Sequence, residues 1–311
     1  MKCISLTIID LRKRRMNIHP TAIVNPKAEL GANVTIGPFC VIDADVKIGD
    51  NAHIGPHVTI LRFATIGAGC SIHANAVLGD LPQDMAFKDA VSYVRIGANC
   101  TIREGVTIHR GTKPETETVT GEGCYLMANS HLAHNVKLGD YVVLVNGALL
   151  AGYVEVGDRA FISGNCLVHQ FARIGKLAIL AGGSAFNKDV PPFCKTKGLG
   201  ANTVIGLNVI GLKRAGIGVP ERLAIKRAFH TLYQSGLNVS QATAKIRAAS
   251  PSGAALEFCE FVEQSKRGIC RFGGQTDEDG NPPLRDSPGR SAPAEPGSLP
   301  PKADPPVAEN A

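Results

Sequence analysis

At 311 residues, with 5% aromatic side chains and no tryptophan, the chain has room for two domains but lacks the large rings that fill a broad core. A formal net charge of +6 favours acidic partners, yet no RNP-type aromatic motif or zinc-finger spacing accompanies it, which argues against nucleic acid. No apolar run approaches a membrane span, and nine scattered cysteines without a Cys-x-x-Cys pair point to a reducing, cytoplasmic setting without disulfides.

Residues 1–16 form an N-terminal extension in which a short apolar stretch precedes the basic run Arg12, Lys13, Arg14, Arg15. That order is the reverse of a signal peptide's, and Met16, directly before the first repeat, reads as an alternative start. From Ile18 onward an aliphatic residue recurs every sixth position: Val24, Leu30, Ile36, Ile42, Ile48, Ile54, and so on to Leu180 and Phe186. A small residue follows most of them four positions later, including Cys40, Cys70, Cys100, Cys124 and Cys166, where a thiol acts as a small hydrophobe. A period of six suits neither a helix nor a heptad. It suits short strands joined by tight turns, and because one hexad cannot bury its own apolar residue, the repeats must stack. Residues 17–190 therefore predict a parallel β-helix.

Four positions break the pattern: Asp84, Ala90, Pro114 and Thr120. They fall in two segments, 79–95 and 113–123, after which the period resumes in phase, as expected of loops projecting from an intact wall. Long loops in so compact a repeat are usually functional.

Pro191-Pro192 is expected to stop the solenoid. Residues 191–272 then read as a small α-helical domain: a short helix from Asn208, a second after Pro220 carrying Leu223, Ala228 and Leu232, and two more over Val239–Ala249 and Ala254–Gln264. Residues 273–311 hold nine prolines and no periodicity, and predict a disordered tail without a catalytic role.

Candidate chemistry concentrates in Met127–Asn135, where His131 and His134 lie three apart. On the outer wall of a solenoid His134 could be a general base, a metal ligand or a surface histidine. With three hexads per coil, residues eighteen apart stack, so His134, Gly152 and Gln170 share one column. The glycine lets a ligand approach the backbone, where an N–H could stabilise an oxyanion. Gln83-Asp84, His109-Arg110 and His169-Gln170 are further polar clusters without specificity of their own.

The segments Ile18-His-Pro-Thr-Ala-Ile-Val24, Thr107-Ile-His-Arg-Gly-Thr112, His131-Leu-Ala-His134, Val168-His-Gln-Phe171, Asp189-Val-Pro-Pro192 and Gly211-Leu-Lys-Arg214 occur in this order. Over residues 17 to about 271 the chain resembles the acyl-carrier-protein:UDP-N-acetylglucosamine O-acyltransferases that begin lipid A synthesis. The resemblance implies a left-handed parallel β-helix followed by a helical domain, and a homotrimer with active sites between subunits. It also implies acyl carrier protein as donor, UDP-N-acetylglucosamine as acceptor, and neither cofactor nor metal. His134 matches the catalytic base and Gly152 the oxyanion donor. Gln83, Asp84, His131, His169 and Gln170 match substrate-contacting positions, Asn208 and Arg214 the UDP end, and Gly182 the hydrocarbon ruler, where glycine leaves the groove open to a long acyl chain.

Departures from the family pattern concern substrate detail. Asn135 stands where many members have Asp. Ala86 replaces a substrate-contacting Lys, with Lys88 as its substitute, Tyr153 replaces a second His, and Ala215 replaces an Arg. Two relatives by fold compete. A UDP-acyl-glucosamine N-acyltransferase would carry a large uridine-binding domain before the repeats, where this sequence has about seventeen residues. A γ-type carbonic anhydrase would need three convergent histidines on zinc. A non-catalytic solenoid would have little use for the two loops.

Overall fold

A computed structural model describes residues 17–273, so the N-terminal extension and the Pro-rich tail lie outside the described residues. Two-residue strands centred on the hexad aliphatics build three sheets, of twelve, nine and eight strands. Every pairing between solenoid strands is parallel, and the common register joins residues eighteen apart, as in Ile18 with Ile36, Ile36 with Ile54, and Leu132 with Leu150. Three hexads thus make one coil, and each side of the coil adds a strand to one sheet. The aliphatic of each hexad points inward: Ile54, Ile60, Ile72, Leu132, Leu144 and Leu150 are all fully buried. Cys40, Cys70, Cys100, Cys124 and Cys166 fill the narrow corners, at most 1% exposed. These and the other described cysteines are free and buried.

Along the middle of the solenoid each coil corner holds one residue in the left-handed region, and it too recurs by six: Asn129, Asn135, Tyr141, Gly147, Tyr153, Arg159, Asn165 and Phe171. The bend requires this conformation, which a side chain other than glycine adopts at a cost of roughly 1–2 kcal/mol. Three of these positions, Asn135, Tyr153 and Phe171, stack on consecutive coils, and their outward side chains shape the site described below.

Both excursions preserve phase, although they are narrower than the sequence predicts. The register lengthens to Ile72 opposite Ile102 across the first, and to Ile102 opposite Leu126 across the second. Thr120 belongs to the wall: it faces inward, 3% exposed, opposite Ile96 and Leu138. Its Oγ1 accepts a bond from the Gly97 N–H at 3.2 Å, so a hydroxyl serves where an aliphatic residue is expected.

Nor does Pro191-Pro192 end the stack. Strand Cys194–Thr196 continues the first sheet parallel to Ile179–Leu180, and then pairs antiparallel with Thr203–Leu207. Arg271–Phe272 closes that edge. These last pairings break the hexad period, which is why the repeat does not reveal them.

The helices fall where the sequence places them: α1 (Val209–Arg214), α2 (Val219–Tyr233), α3 (Val239–Ala249) and α4 (Ala254–Glu263). Asn238 and Gln241 form a capping box that starts α3. α2 and α4 pack against each other, and Ile225 and Phe229 of the one and Phe258 and Cys259 of the other are buried. Asp189, 1% exposed, fastens the segment after α4 to the solenoid. Its carboxylate accepts from Arg173 Nε at 3.1 Å and from Ser265 Oγ at 2.8 Å. Solenoid and helices form one compact unit. Among the described residues no helix is long and apolar enough to cross a membrane.

Candidate active site

The predicted column exists at the corner between the second and third sheets. The Tyr153 N–H donates to the His134 carbonyl and the Phe171 N–H to the Gly152 carbonyl, each at 3.0 Å, so His134, Gly152 and Gln170 stand on successive coils. The imidazole packs closely against Gly152. A β-carbon on that residue would sit 2.5 Å from Nε2, 2.9 Å from Nδ1 and closer still to Cε1. Only glycine admits the ring, and the Gly152 N–H finds no acceptor among the described residues.

His134 is not a surface histidine. It is 7% exposed: Gly152 and Tyr153 pack against the ring, and the first excursion reaches over it. From the first, Asp84 brings Oδ2 to 4.0 Å from Nε2. Arg110, buried, holds that loop to the wall: its guanidinium lies 5.5 Å from the Phe63 ring centre and 5.4 Å from that of Phe87, and reaches Asp89 at 3.4 Å. Arg110 is thus neither part of the groove nor a solvated wall residue. The second insertion lies between strands Thr107–His109 and Glu117–Thr120, earlier than the sequence predicts, and its Thr112 reaches Asn135. Tyr153 packs edge-on against the imidazole at 5.2 Å and stacks on Phe171 at 5.0 Å.

Hydrogen bonds assign the imidazole's tautomer. The Thr112 N–H, which can only donate, lies 3.0 Å from Asn135 Oδ1, so that atom is the amide oxygen. His134 Nδ1 lies 3.2 Å from the same oxygen and must therefore carry the proton. Nε2 is left as the basic nitrogen, between Gly152 and Asp84. The Asn135 backbone is pinned as well, its N–H donating to buried Thr118 Oγ1 at 2.8 Å.

A groove of about 640 Å3 opens beside Nε2 and climbs the outer face of the second sheet. Gln83, His131, His169 and Gln170 line its polar end, and the outward side chains Leu149, Leu167 and Ala185 form an apolar floor. His131 Nδ1 lies 2.7 Å from Thr107 Oγ1. Burial, aided by His109 and His134, pushes the His131 imidazole down to about 4. Burial also lowers His109, which meets the His131 ring edge-on at 5.0 Å. The paired imidazoles of His131 and His109 are therefore neutral near pH 7. The geometry suits proton removal from a polar group next to an elongated apolar ligand.

The other predicted residues do not join this groove within one chain. Lys88 is exposed and outside its lining. Asn208 and Arg214 line a separate cleft against the first sheet, with Arg159 and Lys195. The Asn208 amide is committed structurally, capping α1 by accepting from the Gly211 N–H at 2.9 Å and donating to the Leu177 carbonyl at 2.9 Å. Gly182 sits at the corner between the first and second sheets, where a β-carbon would meet the Gly164 carbonyl at 3.3 Å. Conversely, sequence reasoning missed Thr112 and Thr118 as partners of Asn135, and missed Leu149 and Leu167 as groove floor. The outward apolar phase of the latter was visible in the hexads, whereas nothing local marks the threonines. Among the described residues no three His, Cys, Asp or Glu side chains converge as metal ligands.

Comparison with known proteins bears on both halves of the chain. Residues 189–270 match the profile described as UDP N-acetylglucosamine O-acyltransferase, domain 2, and residues 45–80 and 117–152 match the bacterial transferase hexapeptide profile. The acyl-[acyl-carrier-protein]–UDP-N-acetylglucosamine O-acyltransferase of Syntrophobacter fumaroxidans is 42% identical over 258 residues, covering 82% of this chain and 100% of the relative. The enzyme of the same name from Thermodesulfovibrio yellowstonii is 42% identical over 256 residues, covering 82% and 99%. Among solved structures, the UDP-N-acetylglucosamine acyltransferase of Bacteroides fragilis superposes with a TM-score of 0.77 at 39% identity, covering 81% of this chain and 99% of that one. That of Francisella novicida gives 0.78 at 36% identity, covering 88% and 100%.

Proposed function

The chain belongs to the acyl-[acyl-carrier-protein]–UDP-N-acetylglucosamine O-acyltransferase family, and from that premise we propose how its residues carry out the reaction. It is an acyltransferase with a left-handed β-helix that catalyses the first step of lipid A biosynthesis. A 3-hydroxyacyl group passes from acyl carrier protein to the 3-hydroxyl of UDP-N-acetylglucosamine.

His134 Nε2 takes the proton of the sugar 3-hydroxyl as its oxygen attacks the thioester carbon. The carbonyl oxygen becomes an oxyanion, which the Gly152 N–H stabilises, and collapse of the tetrahedral species breaks the C–S bond. The leaving thiolate of the carrier's prosthetic arm then takes the proton from the imidazolium. The Nδ1–H bond to Asn135 keeps Nε2 in the basic form, and Asp84 lies close enough to favour the transient positive charge. The acyl chain runs over Leu149 and Leu167, while Gln83, His131, His169 and Gln170 contact the polar part of the substrates.

Asn208 and Arg214 face a different side of the chain from His134, which supports a homotrimer in which one subunit's uridine-diphosphate cleft completes a neighbour's groove. Arginine suits a diphosphate because its planar fork gives paired, charge-assisted bonds. Buried free thiols suit the reducing cytoplasm.

The observation that carries this reading is the contact of the His134 ring with Gly152, which sets base and oxyanion donor side by side. Its test is His134→Ala, assayed by mass spectrometry of the acylated nucleotide sugar. Removing a positioned base costs a factor of about 100 to 10,000. A folded variant keeping more than about a tenth of the wild-type rate would overturn the assignment.

A further inference from the structure

The relay behind His134 contains no charged group. Its direction follows from what each atom can donate. Thr112 Oγ1 donates to Asn135 Oδ1 at 3.0 Å, using its only proton. The Tyr153 hydroxyl, 2.8 Å from the same Oγ1, must then be the donor in that contact. The chain reads Tyr153 O–H to Thr112 O–H to Asn135 Oδ1, with the Thr112 N–H and His134 Nδ1–H converging on the same oxygen. Three donors meeting at one amide oxygen oppose rotation of that amide, since its NH2 group would face all three.

That opposition matters because an amide, unlike a carboxylate, can be turned the wrong way round. With the NH2 group toward His134, Nδ1 would have to accept, the proton would move to Nε2, and the nitrogen facing the substrate would no longer be a base. We propose that Thr112 is a positioning residue for the acyl transfer: by fixing the Asn135 amide, it holds His134 in the tautomer with a free Nε2. This rests on His134 being the base, as proposed above. Tyr153 supports Thr112 from the next coil, held by its stacking on Phe171.

The test uses the full-length enzyme and three variants, with circular dichroism to confirm folding. Thr112→Val keeps the shape and the N–H but loses the hydroxyl. Its kcat should fall about 10-fold or more, with KM within about threefold. Thr112→Ser, which keeps the hydroxyl, should retain at least about half the rate. The decisive variant is Thr112→Val combined with Asn135→Asp. Either carboxylate oxygen can accept from Nδ1, so orientation no longer matters, and most of the lost rate should return.

The acidic limb of the pH–rate profile should also move to higher pH in the double variant, because a carboxylate beside the ring favours the protonated imidazole. The other titratable groups facing the ring, Asp84, His131, His109 and Tyr153, are unchanged between variants. Thr112→Val within twofold of wild type, Thr112→Ser as damaged as Thr112→Val, or no recovery in the double variant would each overturn the proposal. Failure of the base assignment reads out separately, as an active His134→Ala.

Discussion

Replacing Gly152 with alanine tests the contact between the ring and the backbone directly. Gly152 does not have a positive φ, so alanine introduces no backbone strain, and the N–H remains in place. The added methyl group would lie 2.5 Å from His134 Nε2 and 2.9 Å from Nδ1. Unstrained contacts lie near 3.5–4.0 Å, so the imidazole must retreat by about 1 Å. It cannot do so freely, because Nδ1 is bonded to Asn135 and Tyr153 packs against the ring edge. Overpacking of this kind costs roughly 1–3 kcal/mol of stability, which a solenoid of this size should survive. A misplacement of about 1 Å costs on the order of 100-fold in rate. Gly152→Ala should therefore be folded by circular dichroism, slightly less stable to heat, and slower by about 100-fold in steady-state product formation. The same substitution in a His134→Ala background should cost less than about threefold, because the group it collides with is gone. An equal loss in both backgrounds, or a Gly152→Ala enzyme within threefold of wild type, would refute the reasoning.

Two further outcomes are expected. His131, pushed down to about 4 from the ordinary value of 6.5, resists protonation when folded, so its contribution to stability is complete above about pH 6.5 and is lost as pH falls toward 4; His131→Gln should flatten the fall in melting temperature over that window, and an unchanged slope would mean the imidazole is not buried as described. Gly182→Met should shift donor preference from a chain of about fourteen carbons to one about four shorter, a difference of roughly 3 kcal/mol at 0.8 kcal/mol per methylene. Competition between acyl-carrier-protein donors measures it. Because Gly182 lies off the groove of its own chain, an unchanged preference would show that no neighbouring subunit brings it to the acyl chain.

The solenoid was legible because its information is local and repeated. Each hexad carries its own inward aliphatic, and eighteen residues return the chain to the same side, so register follows from counting. The column of His134, Gly152 and Gln170 follows from the same arithmetic, and the helices follow from their own periodicity and caps. The repeat could not say what covers the column. Asp84 reaches His134 from a loop outside the repeat and Thr112 reaches Asn135 from another, and a period carries no information about where an insertion folds. The tautomer depends on Thr112, 23 residues from Asn135 in sequence, and on Tyr153, 41 residues from Thr112. The separation of Asn208 and Arg214 from His134 was equally hidden, since sequence order does not tell which side of the wall a residue faces. Sequence determined the wall and the residues on it. Tertiary contacts over long separations decided which of those residues meet, and with them the protonation that the chemistry needs.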